Sequence, residues 1–133
     1  MANRKQILII EDEKAMLESY AEILRNAGYD VIEAEDGYKG LQALESGHSA
    51  IDLVLLDLMM AGIDGLEVLR TARGNEDTYG HVPIVVLTNM TSEKVIKEAF
   101  DGGADSYLLK TEMDQQDLLE EIAKKLGTED QES

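Results

Sequence analysis

Residues 53–69 read LVLLDLMMAGIDGLEVL and contain a complete strand–loop–helix pattern. Leu53 to Leu56 is a short apolar run that leads directly into an acid, Asp57, as a strand buried on both faces does at its end. Asp64 and Gly65 then form a turn and cap for a helix that begins at once. A buried strand, a loop and a capped helix within so few residues make one βα unit.

The same unit recurs on both sides of this segment. Ile7 to Ile10 is a β-branched strand that stops at Glu11, Asp12 and Glu13; Met16, Tyr20, Ile23, Leu24 and Ala27 follow at helical spacing, and Gly28 is placed to end that helix. A strand at Asp30 to Ala34 precedes a helix from about Gly37 to Ser46, with Asp36 as its N-cap. Strands at Ile84 to Leu87 and Ser106 to Leu109 lead into two further helices. One carries Val95, Ile96, Ala99 and Phe100 behind a Thr91 or Ser92 cap and ends at Gly102 and Gly103; the other carries Leu118, Leu119, Ile122, Ala123 and Leu126 behind Asp114. Five βα units predict a parallel sheet covered by helices on both faces. The segment RGNEDTYGHVP, which holds the only proline, Pro83, reads as an exposed loop.

Composition narrows the function classes. With 133 residues the chain is one domain's length, read as a folded unit over 1–127 and a short acidic, flexible tail over 128–133. Without cysteine there are no disulfides or thiolate metal sites, and two histidines lying apart in Gly-His contexts argue against zinc. No apolar run is long enough for a membrane span or a signal-peptide core, so a cytoplasmic location is expected. The 28 acidic against 12 basic residues give a net charge of −16, which repels nucleic acid and anionic membranes. Most of this charge must be solvated surface, suited to a basic partner or a salty cytoplasm.

In an open parallel sheet, ligands bind at the carboxyl ends of the strands. Those ends carry Glu11, Asp12 and Glu13, then Asp57, Thr88 and Lys110. Glu13 reads most simply as a solvent-facing or capping acid. Glu11, Asp12 and Asp57 brought together would repel unless a cation or protons offset them, and hard oxygen ligands suit Mg²⁺. No glycine-rich loop follows the first strand, which argues against a nucleotide- or flavin-binding enzyme.

The acidic pair in ILIIEDE, the segment LVLLDLMMAGIDGLEVL, the strand VVLT and the stretch GADSYLLK resemble, in this order, the response-regulator receiver domains of two-component systems, from about Lys5 to Leu126. That resemblance implies a flavodoxin-like (βα)5 doubly wound parallel sheet of order 2-1-3-4-5. It makes Asp57 the phosphoacceptor, with Mg²⁺ held by Asp12, Asp57 and the Met59 backbone carbonyl and by Glu11 through water. Lys110 and Thr88 would bind phosphoryl oxygens, and Thr88 and Tyr107 would switch together. The implied donor is a sensor histidine kinase or histidine phosphotransfer protein. The implied output, from a single-domain regulator with no activity beyond its own phosphorylation and dephosphorylation, is protein binding to an unidentified target or onward phosphotransfer. A phosphorylation-deficient pseudo-receiver is the alternative. Met59 and Met90 stand where the family places side chains around the phosphoryl group, with Asn89 beside them. The family's usual prolines are replaced by Ala61 and Thr111, and a cis bond before a non-proline costs roughly 3–4 kcal/mol, so the sequence leaves the Lys110–Thr111 bond open between cis and trans.

Overall fold

The computed structural model describes residues 4–60, 62–89 and 92–127. Its strands are β1 (Gln6–Ile10), β2 (Asp30–Ala34), β3 (Leu53–Asp57), β4 (Ile84–Thr88) and β5 (Ser106–Leu109). They form one parallel sheet in the order β2-β1-β3-β4-β5. Its helices are α1 (Lys14–Asn26), α2 (Gly37–Gly47), α3 (Gly65–Gly74), α4 (Glu76–Tyr79), α5 (Glu93–Asp101) and α6 (Gln115–Leu126).

Alternation along the inner strands sorts their side chains into two cores. Leu8, Ile10, Val54, Leu56, Ile84 and Val86 face one side, where α2, α3 and α5 bring Leu41, Leu44, Val68, Leu69, Ala72 and Ala99. Ile7, Ile9, Leu53, Leu55, Val85 and Leu87 face the other, where α1 and α6 bring Leu17, Tyr20, Ala21, Leu24, Leu118 and Ile122. This is the doubly wound flavodoxin-like arrangement expected from the sequence.

Local chemistry sets the helix ends. Asp36, Asp64 and Asp114 each accept a hydrogen bond from the backbone three residues on, and Asp114 and Asp117 complete a reciprocal capping box. Gly28 and Gly103 take the left-handed φ that turns the chain after α1 and α5.

Two expectations need correction. The segment read as an exposed loop is not one throughout: α3 runs on through Gly74, and α4 forms where Thr78 and Tyr79 donate to the Asn75 carbonyl. Acids in the first turn of α4 favour its positive end, and Tyr79 and Val82 pack on the core. Ser92 does sit at the N-cap of α5, but its side chain makes no capping bond. The alternative cap Thr91, together with Ala61, Met90 and the tail 128–133, lies outside the described residues. A 3-10 turn at His48–Ala50, unsignalled in the sequence, links α2 to β3.

Candidate functional site

The site stands where β1, β3 and β5 end. Glu11 extends the ladder past β1, its N–H donating to the Ala34 carbonyl at 3.1 Å, so its side chain is fixed by the sheet before the chain turns into α1. Asp57 closes β3 in register with Leu87 of β4. Lys110 follows β5, its N–H donating to the Thr88 carbonyl at 2.9 Å. A pocket of about 360 Å³ results, lined by Glu11, Asp12, Asp57, Met59, Asn89 and Lys110, with Glu13 and Met16 at its α1 side.

Carboxylate oxygens of Glu11, Asp12 and Asp57 lie within 4.8 Å of one another. Glu11 and Asp57 are only 2% and 4% exposed, whereas Asp12 is exposed. Two carboxylates so enclosed need compensation. Lys110 Nζ supplies part of it, 2.8 Å from Glu11 Oε1 and 3.4 Å from Asp57 Oδ2. The Met59 N–H donates to Asp57 Oδ1 at 3.2 Å, and the Glu13 N–H donates to Glu11 Oε2 at 3.2 Å.

Burial pushes the Asp57 carboxyl up from 3.8 to about 7, reinforced by the hydrogen bond and charge of Glu11 and opposed by Lys110 and the Met59 N–H. For Lys110, burial works against the ammonium, but the hydrogen bond to Glu11 and the charges of Asp57 and Glu11 outweigh it and leave its affinity for the proton raised. Tyr20, one helical turn beyond Met16, is buried under the site. Burial raises its hydroxyl against the pull of Lys110.

One ammonium facing three acids leaves the cluster anionic whenever all three are ionised. Hard oxygen donors converging on one point, with the exposed Asp12 open to solvent, fit a hydrated Mg²⁺ that uses one or two carboxylates plus waters. The acidic cluster is thus a site of the type that coordinates Mg²⁺ in receiver domains.

Of the residues singled out in the sequence, Glu11, Asp12, Asp57, Met59 and Lys110 come together on the pocket wall. Thr88 does not line it; it is fully buried at the end of β4, beside Asp57 through the register of the two strands. Tyr107 lies farther off, half-buried on β5 with its ring centroid 6.5 Å from that of Phe100. Met16 packs against the core as its helical spacing implies, and Glu13 is exposed at the N-cap of α1, as a solvent-facing or capping acid; both also line the pocket, for which the one local signal is that Glu13 directly follows the acidic pair. Among the described residues there is no cis peptide, so Lys110–Thr111 is trans.

The comparisons with known proteins agree with this geometry. Residues 7–123 match the family model described as response regulator receiver domain. Over 121 residues, 91% of this chain, it is 32% identical to the CAI-1 autoinducer sensor kinase/phosphatase CqsS of Vibrio cholerae, of which the match covers 17%. It is 41% identical over 105 residues, 79% of this chain, to 42% of the DNA-binding dual master transcriptional regulator RpaA of Synechocystis. The chain therefore spans less than half the length of the curated relatives it matches. A CheY-like response regulator receiver domain protein of Methanospirillum hungatei superposes with a TM-score of 0.84 at 30% identity, covering 98% of this chain and all of that one. No helix among the described residues is long and apolar enough to cross a membrane. A matched family model over most of the chain, the strand order and the acidic cluster agree, and the chain belongs to the response-regulator receiver domain family.

Proposed function

We propose that the chain accepts a phosphoryl group on Asp57 from the phosphohistidine of a sensor histidine kinase or histidine phosphotransfer protein. The observation that carries this reading is a nearly buried Asp57 at a strand end, within reach of an ammonium and two further acids. An Asp57 oxygen attacks phosphorus, the P–N bond breaks, and the imidazole leaves with the electron pair and takes up a proton. Asp57 must be ionised to attack, and Lys110 favours that form by its charge. Lys110 would turn from Glu11 toward a transferred phosphoryl oxygen, and Thr88, buried beside Asp57, would donate a hydrogen bond to another. Asp12, Asp57 and the Met59 carbonyl would hold Mg²⁺, with Glu11 acting through water; the ion supplies positive charge to the transferring oxygens.

In this reading the unit is residues 1–127, acting in the cytoplasm, and its output is phosphorylation-dependent protein binding or onward phosphotransfer, with Thr88 and Tyr107 moving together. The DNA binding of relatives such as RpaA is theirs; a chain of charge −16 is poorly suited to it. The test of the metal site is thermal unfolding with and without Mg²⁺. Binding to the folded state alone raises stability by about 2.7 kcal/mol at a hundredfold excess over Kd. Asp12→Ala should lose most of that gain, and an unchanged gain in the variant removes Asp12 from the site.

A further inference from the structure

The pleat of the sheet turns the charged groups of the site toward one core. Glu11, Asp57 and Lys110 each stand two residues beyond Ile9, Leu55 and Leu108, which pack on the α1 and α6 side, so all three project to that side. Tyr20 belongs to the same core, on α1, one helical turn beyond Met16 of the pocket wall. It is only 6% exposed, and its hydroxyl makes no hydrogen bond to another described residue. No fully enclosed side-chain polar atom among the described residues lacks a partner, so that hydroxyl keeps a trace of solvent contact. The charges of Lys110, Glu11, Asp57 and Glu13 all act on it.

The ammonium that holds Glu11 is the one that phosphoryl transfer calls away. Lys110 Nζ lies 2.8 Å from Glu11 Oε1, while the Glu13 N–H is already committed to Oε2. Once Lys110 turns to a phosphoryl oxygen, Oε1 of a carboxylate that is 2% exposed loses its partner. Taking one member from an enclosed ion pair leaves a costly charge behind unless another donor replaces it. A tyrosine hydroxyl is such a donor, and its proton rotates to suit the acceptor at hand.

We propose that Tyr20 is a positioning residue for phosphoryl transfer, its hydroxyl donating to Glu11 when Lys110 leaves. The inference rests on the phosphoryl-acceptor reading and deepens it, because Tyr20 lowers the cost of releasing Lys110 without touching the transferred group.

Lys110→Met removes the ammonium without any phosphorylation, so a double-mutant cycle with Tyr20→Phe tests the exchange by itself. In the parent, Tyr20→Phe should change the unfolding constant less than about twofold, since no hydrogen bond is lost; in Lys110→Met it should raise that constant about tenfold, at pH 8 without Mg²⁺. Lys110→Arg, which keeps a cation for Glu11, should restore the small effect. Equal costs of Tyr20→Phe in all three backgrounds would overturn the proposal. A second measurement keeps Lys110 in place and decides the matter should Lys110→Met fail to fold. The ring Cζ resonance of Tyr20, assigned by its loss in Tyr20→Phe, should shift when Mg²⁺ and the phosphoryl mimic beryllofluoride bind the parent, and Tyr20→Phe should bind the mimic about tenfold more weakly. An unmoved Cζ resonance in a chain that binds the mimic would show that metal-bound water takes over Glu11, and would overturn the role of Tyr20. A parent that does not bind the mimic at all contradicts the phosphoryl-acceptor reading instead, and the cycle still decides on Tyr20.

Discussion

Asp57 is nearly out of solvent beside a second carboxylate, so its proton governs metal-free stability. Its folded value, about 7, lies above the ordinary 3.8, so the fold is favoured while Asp57 is protonated. That advantage is present at low pH and is lost as the pH rises from about 4 to about 7. Asp57→Asn removes the ionising group, and without Mg²⁺ the variant should be more stable than the parent at pH 8, the gap closing toward pH 4. Urea unfolding across that range checks the sign; a parent more stable than the variant at pH 8 would contradict it. Met59, 57% exposed on the pocket wall, bears on how long a phosphoryl group survives. Water must reach phosphorus opposite the Asp57 oxygen, and a thioether neither donates to that water nor orients it well. Met59→Asn should therefore speed loss of the phosphoryl group about tenfold, a change of about 1.4 kcal/mol in barrier, read from the decay of the phosphorylated chain. Equal decay rates would reduce Met59 to a packing residue.

At the scale of elements, α3 is docked against the backbone that leaves the site. A Cβ at Gly65 would lie 2.5 Å from both the Asp57 carbonyl oxygen and Leu58 Cα, and neither backbone atom can step aside cheaply. Gly65→Ala should push α3 away from β3, costing about 2 kcal/mol of stability and weakening the Mg²⁺-dependent rise in unfolding temperature. An unchanged metal response would show that the site does not depend on this contact. Asp64 as cap and Gly65 in the turn were legible because capping leaves a local signature in residue type. The close approach of Gly65 to β3 was not, since it arises from tertiary packing. The same division runs through the chain: β2 and β5 match the sequence reading because their apolar and polar residues are bounded by clear turns, whereas α4 was missed because four residues give no periodicity. Asp12, Asp57 and Lys110 were visible as chemistry at strand ends. Met16 and Glu13 were not, because a pocket wall belongs to no single element.

Over the whole molecule, a charge of −16 on 133 residues makes self-repulsion a general cost of the compact state. Among the ion pairs of the described residues, those of Lys110 are almost enclosed while most of the others are exposed, so much of the charge is open to screening. Raising monovalent salt from about 10 mM to about 1 M shortens the screening length from about 30 Å to about 3 Å, and the unfolding temperature should rise by several degrees. A flat or falling profile would mean that the acids are already compensated within the fold. The same charge was legible as composition, but the meeting of Glu11, Asp12 and Asp57 at one pocket required the topology. On the proposed reading, this acidic cluster exists to let Asp57 receive a phosphoryl group. Its most direct measurement is the intact mass of the chain after incubation with a phosphorylated histidine kinase core and Mg²⁺, followed by fragmentation to place the modification. One added phosphoryl group is expected, on Asp57, hydroxylamine-labile and absent from Asp57→Asn; an unmodified chain, or a phosphoryl group on any other residue, would overturn the phosphoacceptor role.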